Sequence, residues 1–424
     1  MSGFDRMSSI MRLGSVLAVL ASVAMPAAPA AAQDWPQFLG PGRDGRYDGL
    51  PLAREWSGGA PPELWRRSVG QGFAGPVVVD DRLLLFHRER GSEVLEALDA
   101  GTGEPIWRYD YPTTYRDDFG FDEGPRSAPV VAGGRVYTFG AQGALHAVDL
   151  ETGDRVWSVD TRARFRFRKG FFGAAGSPLV EGGRVLANVG GPDAGIVAFD
   201  AATGDVLWAV PGDEASYSSP VGATFGGARH VVFLTRNALL GLDPATGRTR
   251  FERSWRARIR ASVNAATPLV VGDRIFASAQ YGTGAGVFEV DGGRLREIWT
   301  SDDALSNHYA TSVHRDGYLY GYHGRQEFGP SFRAVELATG DVAWSEDRFR
   351  AGTVTLAGDL LVVMRETGEL VLAEATPEAF RPLARAQLLP PIVRAYPALA
   401  GGRLYVRNGT TLVAVDLRPQ GSAP

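Results

Sequence analysis

The sequence predicts an all-β protein, an eight-bladed β-propeller whose blades are four-stranded antiparallel sheets. Three observations lead to this prediction. A short motif recurs about every 45 residues, a second hairpin pattern precedes each copy, and the two ends of the repeat region complement each other. The 54 glycines and 26 prolines among 424 residues suit a chain with many short strands and turns.

The motif is clearest in LHAVDLETGDRVWSVD, residues 145–160. Asp149 ends an apolar run, Gly153 stands in a Thr-Gly pair, and Trp157 follows the acid at a distance of eight residues. Glycine permits the positive φ of a tight turn, and a carboxylate at Asp149 can accept hydrogen bonds from turn amides. Trp157 then extends from the returning strand with one N–H to satisfy. The stretch therefore predicts a hairpin.

Other copies keep the acid and place an aromatic residue eight positions later. They are Asp99 with Trp107, Asp200 with Trp208, Asp243 with Phe251, Asp291 with Trp299 and Glu336 with Trp344, followed by weaker copies at Glu374 and Asp416. A spacing of about 45 residues is typical of propeller blades. Because packing between blades requires large apolar groups, we interpret the repeated acids, Gly153 and the tryptophans as structural.

Each copy follows two apolar runs joined by Gly-Gly, Gly-Asp or Asp-Gly, as in APVVAGGRVYTFG. Such pairs predict a second hairpin, so each unit has four strands and the set occurs eight times. The last unit, VAVDLRP, has the acid but no tryptophan, while PELWRRSV has Trp65 with no Asp partner before it. We predict that the Trp65 strand completes the last blade and closes the ring, which removes two open sheet edges.

Four regions are predicted along the chain. Residues 1–32 form a signal peptide with cleavage near Ala32, because Arg6 and Arg12 precede an apolar stretch and small residues precede the boundary. Residues 33–62 form an irregular arm packed on the ring, 63–418 the propeller, and 419–424 a C-terminal tail. We expect a periplasmic or secreted protein without an integral membrane span in the mature chain. The formal net charge of −4 argues against nucleic-acid binding.

The repeats, of the form A-x-D-x-x-T-G-x-x-x-W, resemble those of the pyrroloquinoline-quinone (PQQ) repeat propellers over roughly residues 35–418. The opening DWPQFLGPGRDG resembles exported members of that family. The resemblance implies the fold and two activities, because the family includes quinoprotein dehydrogenases, which hold PQQ with Ca²⁺, and a lipoprotein subunit of the outer-membrane β-barrel assembly machine. The chain has no cysteine, whereas the dehydrogenases carry an adjacent cysteine pair and the assembly subunit an anchor cysteine.

In a propeller, the loops that lead into the first strand of each blade (lead-in loops) share one face with the loops between the second and third strands. Here those loops are long, polar and aromatic, so we predict that this loop face is functional. The ligand-binding candidates are Arg126, Tyr217, Asn264, Tyr281, Asn307, His308, His323, Arg325, Glu327 and Arg394. The alternative for each is that its side chain only braces a loop.

The segment RFRFRKGFF, residues 164–172, alternates cations with aromatic residues. It is predicted to form either an extended solvated strand or a basic rim. The preceding lead-in loop carries Asp117, Asp118, Asp122 and Glu123. Either the two loops pair their charges, or the basic segment attracts an anionic ligand or an acidic partner.

The sequence favours an exported binding or scaffold module that acts through the loop face on a small molecule or an envelope protein, and we expect a monomer. It contains no Gly-x-Ser-x-Gly elbow, no phosphate-binding glycine loop and no His-Glu-x-x-His arrangement. No catalytic residue, metal site or cofactor is therefore assigned from the residues. The alternative function is a PQQ-dependent dehydrogenase without the usual cysteine pair, which would use PQQ with Ca²⁺.

Overall fold

The computed structural model describes Met1, residues 33–212 and residues 214–419. The predicted signal peptide and nearly all of the predicted C-terminal tail lie outside the described residues. Residues 33–212 and 214–419 belong to one compact unit. In the described part of the chain, no helix has both the length and the apolar character that crossing a membrane would need.

The predicted all-β, eight-bladed propeller is confirmed. Each blade has four antiparallel strands, which are sequential in the chain except in blade eight, whose outer strand comes from the N-terminal end. The first strands of several neighbouring blades contact one another, which places them innermost. The second and third strands are largely buried, while the fourth strands alternate exposed and partly buried residues. This pattern follows from burial on both faces of the inner strands and on one side of the outer strand.

Two strands precede the first complete blade, β1 (Arg46–Tyr47) and β2 (Glu63–Ser68). The strands of blades one to four are β3 (Val77–Val79), β4 (Arg82–Glu89), β5 (Ser92–Asp99), β6 (Pro105–Pro112), β7 (Val130–Ala132), β8 (Arg135–Phe139), β9 (Ala144–Asp149), β10 (Arg155–Asp160), β11 (Leu179–Glu181), β12 (Arg184–Gly191), β13 (Ala194–Asp200), β14 (Val206–Val210), β15 (Val221–Phe225), β16 (Ala228–Leu234), β17 (Ala238–Leu242) and β18 (Thr249–Ser254). The strands of blades five to eight are β19 (Leu269–Val271), β20 (Arg274–Ala279), β21 (Gly284–Asp291), β22 (Arg294–Ser301), β23 (Val313–Arg315), β24 (Tyr318–His323), β25 (Ser331–Glu336), β26 (Val342–Glu346), β27 (Gly352–Ala357), β28 (Leu360–Arg365), β29 (Glu369–Glu374), β30 (Pro382–Gln387), β31 (Ala398–Ala400), β32 (Arg403–Arg407) and β33 (Thr411–Asp416). The helices are α1 (Thr161–Phe165) and a 3₁₀ turn (Gln326–Phe328).

The ring closes as the two incomplete ends of the repeat predict. Strand β2 pairs antiparallel with β33, with Trp65 opposite Ala414, and is the outer strand of blade eight. Trp65 also donates its indole N–H to the carbonyl of Ala100 in blade one at 3.0 Å. The N-terminal strand therefore joins the last blade to the first.

The acid of the motif stabilises its own turn, while the indole contacts the glycine of the next blade. In blade two, Asp149 Oδ1 accepts the turn N–H groups of Glu151 and Thr152 at 2.9 and 3.0 Å. Trp157 does not close its own turn, but donates to Ala201 of blade three at 3.0 Å and covers Gly204 there. Gly204 has φ +78°, and a Cβ on it would meet the indole at 2.8 Å. The same indole-over-glycine contact links Trp65 to Gly103, Trp107 to Gly153, Trp208 to Gly247 and Trp299 to Gly340.

The N-terminal arm enters the central channel, a deeper position than the sequence predicted. Trp35 forms a two-way backbone bridge to Val78 of blade one, and β1 adds a parallel fifth strand to blade seven. Between them, the guanidinium of Arg43 donates to the carbonyls of Ser177, Pro178 and Pro220 in blades three and four. Arg43 is 1% exposed. The arm therefore crosses the ring near its axis and is anchored on several blades.

The basic segment after blade two is not a strand. Residues Thr161–Phe165 form one short helix, whose N-cap Asp160 accepts a hydrogen bond from the Ala163 N–H at 3.0 Å. Arg166 then takes a left-handed conformation with φ +56° and ends the helix. The alternation of arginine and phenylalanine suggests a strand, but the local cap at Asp160 favours a helical turn.

A histidine is buried between blades one and two. His146 stacks on Tyr111 with ring centroids 4.1 Å apart, and its Nδ1 lies 2.7 Å from the Tyr109 hydroxyl. Burial, together with the nearby Arg155, lowers the pKa of His146 to about 4. The folded protein therefore holds this ring neutral at pH values where an exposed histidine is protonated.

Acidification is expected to destabilise the fold through His146. Between about pH 6.5 and pH 4 the unfolded chain binds a proton that the folded chain does not, so stability falls as the pH falls through this window. We expect the wild type to lose about 3 kcal/mol more unfolding free energy than His146→Phe between pH 7 and pH 4. Urea unfolding at both pH values measures the difference. Equal losses in the two proteins would contradict this role.

Candidate functional site

A cavity of about 440 Å³ opens on the loop face. Lead-in loops of several blades, the loop between the second and third strands of blade six, and the N-terminal arm form its walls. The lining residues are Phe38, Phe73, Phe119, Phe121, Arg126, Phe171, Phe172, Ala175, Ser177, Tyr217, Ser219, Ala261, Val263, Ala265, Tyr281, His308, Tyr309, Arg325, Gln326, Glu327, Arg394 and Tyr396. Aromatic rings and arginines dominate this set.

One wall is an aromatic cluster from the lead-in loops of blades two to four. The ring of Phe172 lies 5.3 Å from Phe119 and 5.5 Å from Tyr217, centroid to centroid. The Tyr217 hydroxyl accepts the backbone N–H groups of Phe171 and Phe172 at 2.9 and 3.1 Å. These bonds hold the Gly-Phe-Phe turn in place, so the rings form a defined apolar surface.

Arg126 covers this wall. Its guanidinium lies 5.2 Å from the Phe172 centroid and 5.4 Å from Phe73. It donates to the Tyr115 hydroxyl at 3.2 Å, and the fully buried carboxylate of Asp117 lies 3.8 Å away. The cation is therefore oriented by a carboxylate behind it and presents its planar face to the rings.

Arg394 and Arg325 form the other side of the cavity. Arg394 donates through Nε to Glu366 at 2.8 Å, and Glu366 also accepts the Tyr309 hydroxyl at 2.8 Å. Arg325 lies 4.7 Å over the Tyr281 ring and donates to Glu327 at 3.2 Å. Each guanidinium thus has one carboxylate that fixes its orientation, as in Arg126.

A tyrosine–histidine pair lies beside Arg325. The Tyr281 hydroxyl is 2.7 Å from His308 Nε2, and His308 Nδ1 bonds to the side-chain oxygen of Gln326. Because an amide oxygen only accepts, Nδ1 carries the proton and Nε2 accepts from the tyrosine. Burial lowers the pKa of His308, which keeps this arrangement neutral. Tyr281 has φ +68°, an uncommon conformation for a non-glycine residue.

The floor of the cavity comes from the arm and from residues that lead directly into the innermost strands. Phe38 packs edge-on against Tyr396 with centroids 4.9 Å apart. Ser177 also lines the cavity, and its carbonyl accepts a hydrogen bond from Arg43. A fourth arginine therefore lies directly beneath the floor, and the acceptors of its hydrogen bonds are neutral oxygens.

Seven of the ten candidate residues line the cavity: Arg126, Tyr217, Tyr281, His308, Arg325, Glu327 and Arg394. The other three lie outside it. Asn264 donates to the carbonyls of Thr235 and Trp255, and Asn307 donates to the carbonyl of Tyr322, so both brace loops. His323 accepts the Ser306 N–H at 3.1 Å and lines a separate hollow, which means that it does not converge with His308.

Sequence reasoning missed the aromatic part of the cavity. It did not nominate Phe119, Phe121, Phe171 or Phe172, although FGF and GFF in two lead-in loops were a usable signal. It also missed Phe38 and Arg43, because nothing local indicates that the arm enters the channel. Charge pairing between the acidic and basic loops is limited to Lys169 with Asp118, while Arg162, Arg164 and Arg168 form no ion pair with any described residue.

Among the described residues, no group of three or more histidines and carboxylates that could hold a metal ion lies at the cavity. The one such cluster in the described part of the chain is His87, Glu89 and Glu96, away from the cavity. Its carboxylates bind Arg108 and Arg67. His87 Nδ1 accepts the Gly70 N–H at 2.9 Å, so the proton stays on the nitrogen that faces Glu96. This cluster is therefore a hydrogen-bonded brace.

Comparison with known proteins identifies relatives of the repeat. The family profile described as "Outer membrane protein assembly factor BamB" matches residues 57–164 and 91–346. A quinohemoprotein alcohol dehydrogenase, ADH-IIG of Pseudomonas putida, is 37% identical over 149 residues, which are 33% of this chain and 20% of that protein. The chain thus matches only about a fifth of the length of this curated relative.

Solved structures share the fold at low sequence identity. BamB from Moraxella catarrhalis superposes with a TM-score of 0.63 at 16% identity, covering 85% of this chain and 98% of that one. The quinohemoprotein alcohol dehydrogenase from Comamonas testosteroni gives a TM-score of 0.68 at 16% identity, covering 92% and 81%. At these identities the likeness concerns the fold alone.

Proposed function

From the premise that this chain belongs to the PQQ-repeat family described as outer membrane protein assembly factor BamB, we propose that it is a binding module. Its ligand is a small planar aromatic anion, bound in the cavity on the loop face. The observation that carries this proposal is the convergence of three oriented guanidiniums and a cluster of aromatic rings around one hollow.

The chemistry of the lining selects such a ligand. Flat aromatic groups stack on phenylalanine and tyrosine rings, and a carboxylate accepts two parallel hydrogen bonds from one guanidinium. Arg394 donates its Nε hydrogen to Glu366, and its guanidinium carbon lies 5.3 Å from the centroid of the Phe121 ring. A cation and an aromatic ring therefore border the same part of the cavity. The uncompensated Arg43 beneath the floor adds positive potential. PQQ, a planar tricarboxylate, is one compound with these features.

The residues fit the quinone better than they fit its metal. Ca²⁺ requires several oxygen ligands. The carboxylates at the cavity, Glu327 and Glu366, bind Arg325 and Arg394 instead. We therefore assign Arg126, Arg325 and Arg394, with the aromatic wall, as the groups that would hold an anionic ring, and derive no step that involves calcium.

A second candidate function is a quinone-dependent oxidoreductase. The observation in its favour is the sequence likeness to the alcohol dehydrogenase of Pseudomonas putida. The two candidates differ in their need for the metal. A binding module takes PQQ without Ca²⁺ and oxidises no alcohol, whereas the dehydrogenase needs both the quinone and Ca²⁺ for turnover.

Replacement of Arg394 is expected to weaken binding of PQQ by at least about tenfold, because loss of one charge-assisted hydrogen bond costs about 1.5–3 kcal/mol. Calorimetric titration of Arg394→Ala with PQQ in the presence of a calcium chelator measures this. Arg381→Ala is the matched control, since Arg381 is an exposed arginine paired with Glu374 in a turn on the opposite face. Its affinity should equal that of the wild type.

Three results would argue against the binding module. The first is no binding of PQQ or of other planar aromatic carboxylates, and the second is an equal affinity in Arg394→Ala. The third is dye-linked oxidation of a primary alcohol that appears only when PQQ and Ca²⁺ are both present, which would favour the dehydrogenase.

We also propose that the protein is exported and acts in the cell envelope or outside the cell. The basic and apolar N-terminal segment supports export, although it lies outside the described residues. The family description refers to an outer-membrane assembly factor, which agrees with this location.

A further inference from the structure

We propose that the loop face docks on an anionic lipid surface through a rim of exposed apolar residues and unpaired arginines that surrounds the cavity mouth. This proposal shares Phe119 and Phe121 with the binding proposal and otherwise rests on different residues. It concerns the outer edge of the loop face, which the cavity ligand does not need.

The apolar part of the rim consists of loop residues with exposed large side chains. They are Phe119, Phe121, Ile259, Phe328 and Ile392, with relative exposures of 53, 50, 51, 78 and 50%. Phe119 and Phe121 line the cavity, Phe328 follows the lining residue Glu327, and Ile259 and Ile392 are two residues from the lining residues Ala261 and Arg394. All five therefore line the cavity or lie within two residues of its lining, and Phe328 lines the neighbouring hollow that shares Arg325 with it. Apart from Met1, the other exposed large apolar residues described are distributed over the outer strands.

The cationic part of the rim comes from three lead-in loops with an Arg-x-Arg pattern. Its members are Arg162, Arg164 and Arg168 before blade three, Arg258 and Arg260 before blade five, and Arg348 and Arg350 before blade seven. All seven are exposed, and none forms an ion pair with a described residue. Because these lead-in loops belong to blades three, five and seven, one blade separates each of them from the next.

The acids of the same face do not neutralise these arginines. Asp118, Asp193 and Glu214 bind other cations, namely Lys169, Arg166 and Arg236. Five further acids, Asp160, Asp302, Asp303, Glu346 and Asp347, form no ion pair with a described residue, but the seven arginines outnumber them. The loop face is therefore positive, although the whole chain has a formal charge of −4.

The arrangement suits a fluid anionic surface better than a protein partner. A protein interface needs a contiguous apolar core with a polar rim around it. Here Phe119 and Phe121 form one stacked pair. Ile259, Phe328 and Ile392 come from other loops around the hollow, and Arg258 and Arg260 flank Ile259. A lipid surface requires no shape match, accepts each apolar side chain between its headgroups, and attracts each arginine near it by about 1 kcal/mol.

Vesicle co-sedimentation tests the proposal. The full chain is mixed with vesicles of phosphatidylcholine alone or of phosphatidylcholine with phosphatidylglycerol in equal parts. We expect binding to the anionic vesicles only, and a loss of at least about tenfold in Arg258→Glu/Arg260→Glu. Ile259→Ser/Phe328→Ser should lose the part of the binding that persists in high salt, because salt screens the charges but not the apolar contacts.

Matched controls come from the opposite face and the outer strands. Arg248→Glu/Arg294→Glu changes two exposed arginines in turns of the other face, and Val156→Ser/Leu207→Ser changes two exposed apolar residues of outer strands. Both should bind vesicles as the wild type does. Affinity for PQQ should be unchanged in the Arg258/Arg260 variant, so failure of the docking proposal is distinguishable from failure of the binding module.

Absence of binding to anionic vesicles would overturn the proposal, and so would equal losses in the rim variants and the opposite-face control. Polyglutamate provides a further discriminating result. If it displaces the protein from vesicles and Ile259→Ser/Phe328→Ser binds like the wild type, the rim recognises acidic chains, such as an acidic protein segment, and not lipid.

Discussion

Trp65→Ala is expected to lower the free energy of unfolding by about 3–5 kcal/mol, the usual cost of removing a buried large aromatic side chain. Trp65 lies outside every complete repeat, yet it is 9% exposed, covers Gly103 of blade one and donates to the Ala100 carbonyl. Its loss therefore weakens the junction between blade eight and blade one, to which Arg67 of the same strand also contributes by donating to the Gly103 carbonyl and to Glu96.

Chemical denaturation of Trp65→Ala, Trp157→Ala and Leu64→Ala tests this closure. Trp157 makes the same kind of contact within the repeat region, so Trp157→Ala should lower the free energy of unfolding by a similar amount. Leu64 precedes Trp65 on the same strand but is exposed, so its replacement should change stability by less than about 0.5 kcal/mol. Unchanged stability in Trp65→Ala would show that the ring does not depend on this strand.

Arg43→Ala is expected to cost about 3 kcal/mol of unfolding free energy. The variant leaves the carbonyls of Ser177, Pro178 and Pro220 without their donor in the interior, and an unsatisfied buried polar group costs about 1–3 kcal/mol. Removal of a buried charge offsets part of this loss, since burial lowers the pKa of Arg43 to about 9. The unpaired carbonyls and the space left by the side chain outweigh that gain.

Arg46→Ala is the control for this prediction, because Arg46 lies on the same arm with its side chain 43% exposed and, among the described residues, forms an ion pair with Asp48 alone. Its replacement should be nearly neutral. The two variants are compared by thermal and urea unfolding. A stability of Arg43→Ala equal to that of Arg46→Ala would show that the arm does not close the channel.

Much of the fold could be predicted because the conformation of each hairpin depends on a few residues that are close together in the sequence. Asp149 and Gly153 lie within one turn, so their spacing follows from local hydrogen bonds and a positive φ. The partner of Trp157 could not be predicted in this way. Its contact with Gly204 depends on the position of the next blade, and the same holds for every tryptophan of the ring.

The candidate site was predicted in part. Polar residues in unusual loops, such as Arg126 and Arg394, are visible in the sequence and line the cavity. His323 was nominated on the same grounds but lines a separate hollow and accepts the Ser306 N–H, whereas Arg325, two residues later, lines the cavity. The direction of a side chain at a strand end depends on the loop that follows, and local pattern does not determine that loop.

The sequence by itself determined the number of blades, their hairpins and the closing strand, since these features depend on short-range periodicity and on the complementarity of the two ends. Only the tertiary structure decided which rings and guanidiniums meet at the axis and that Arg43 lies beneath them. The physical reason is that the axis is assembled from loops distant in the chain. Their side chains become neighbours only when the ring closes, and no local sequence pattern predicts these contacts.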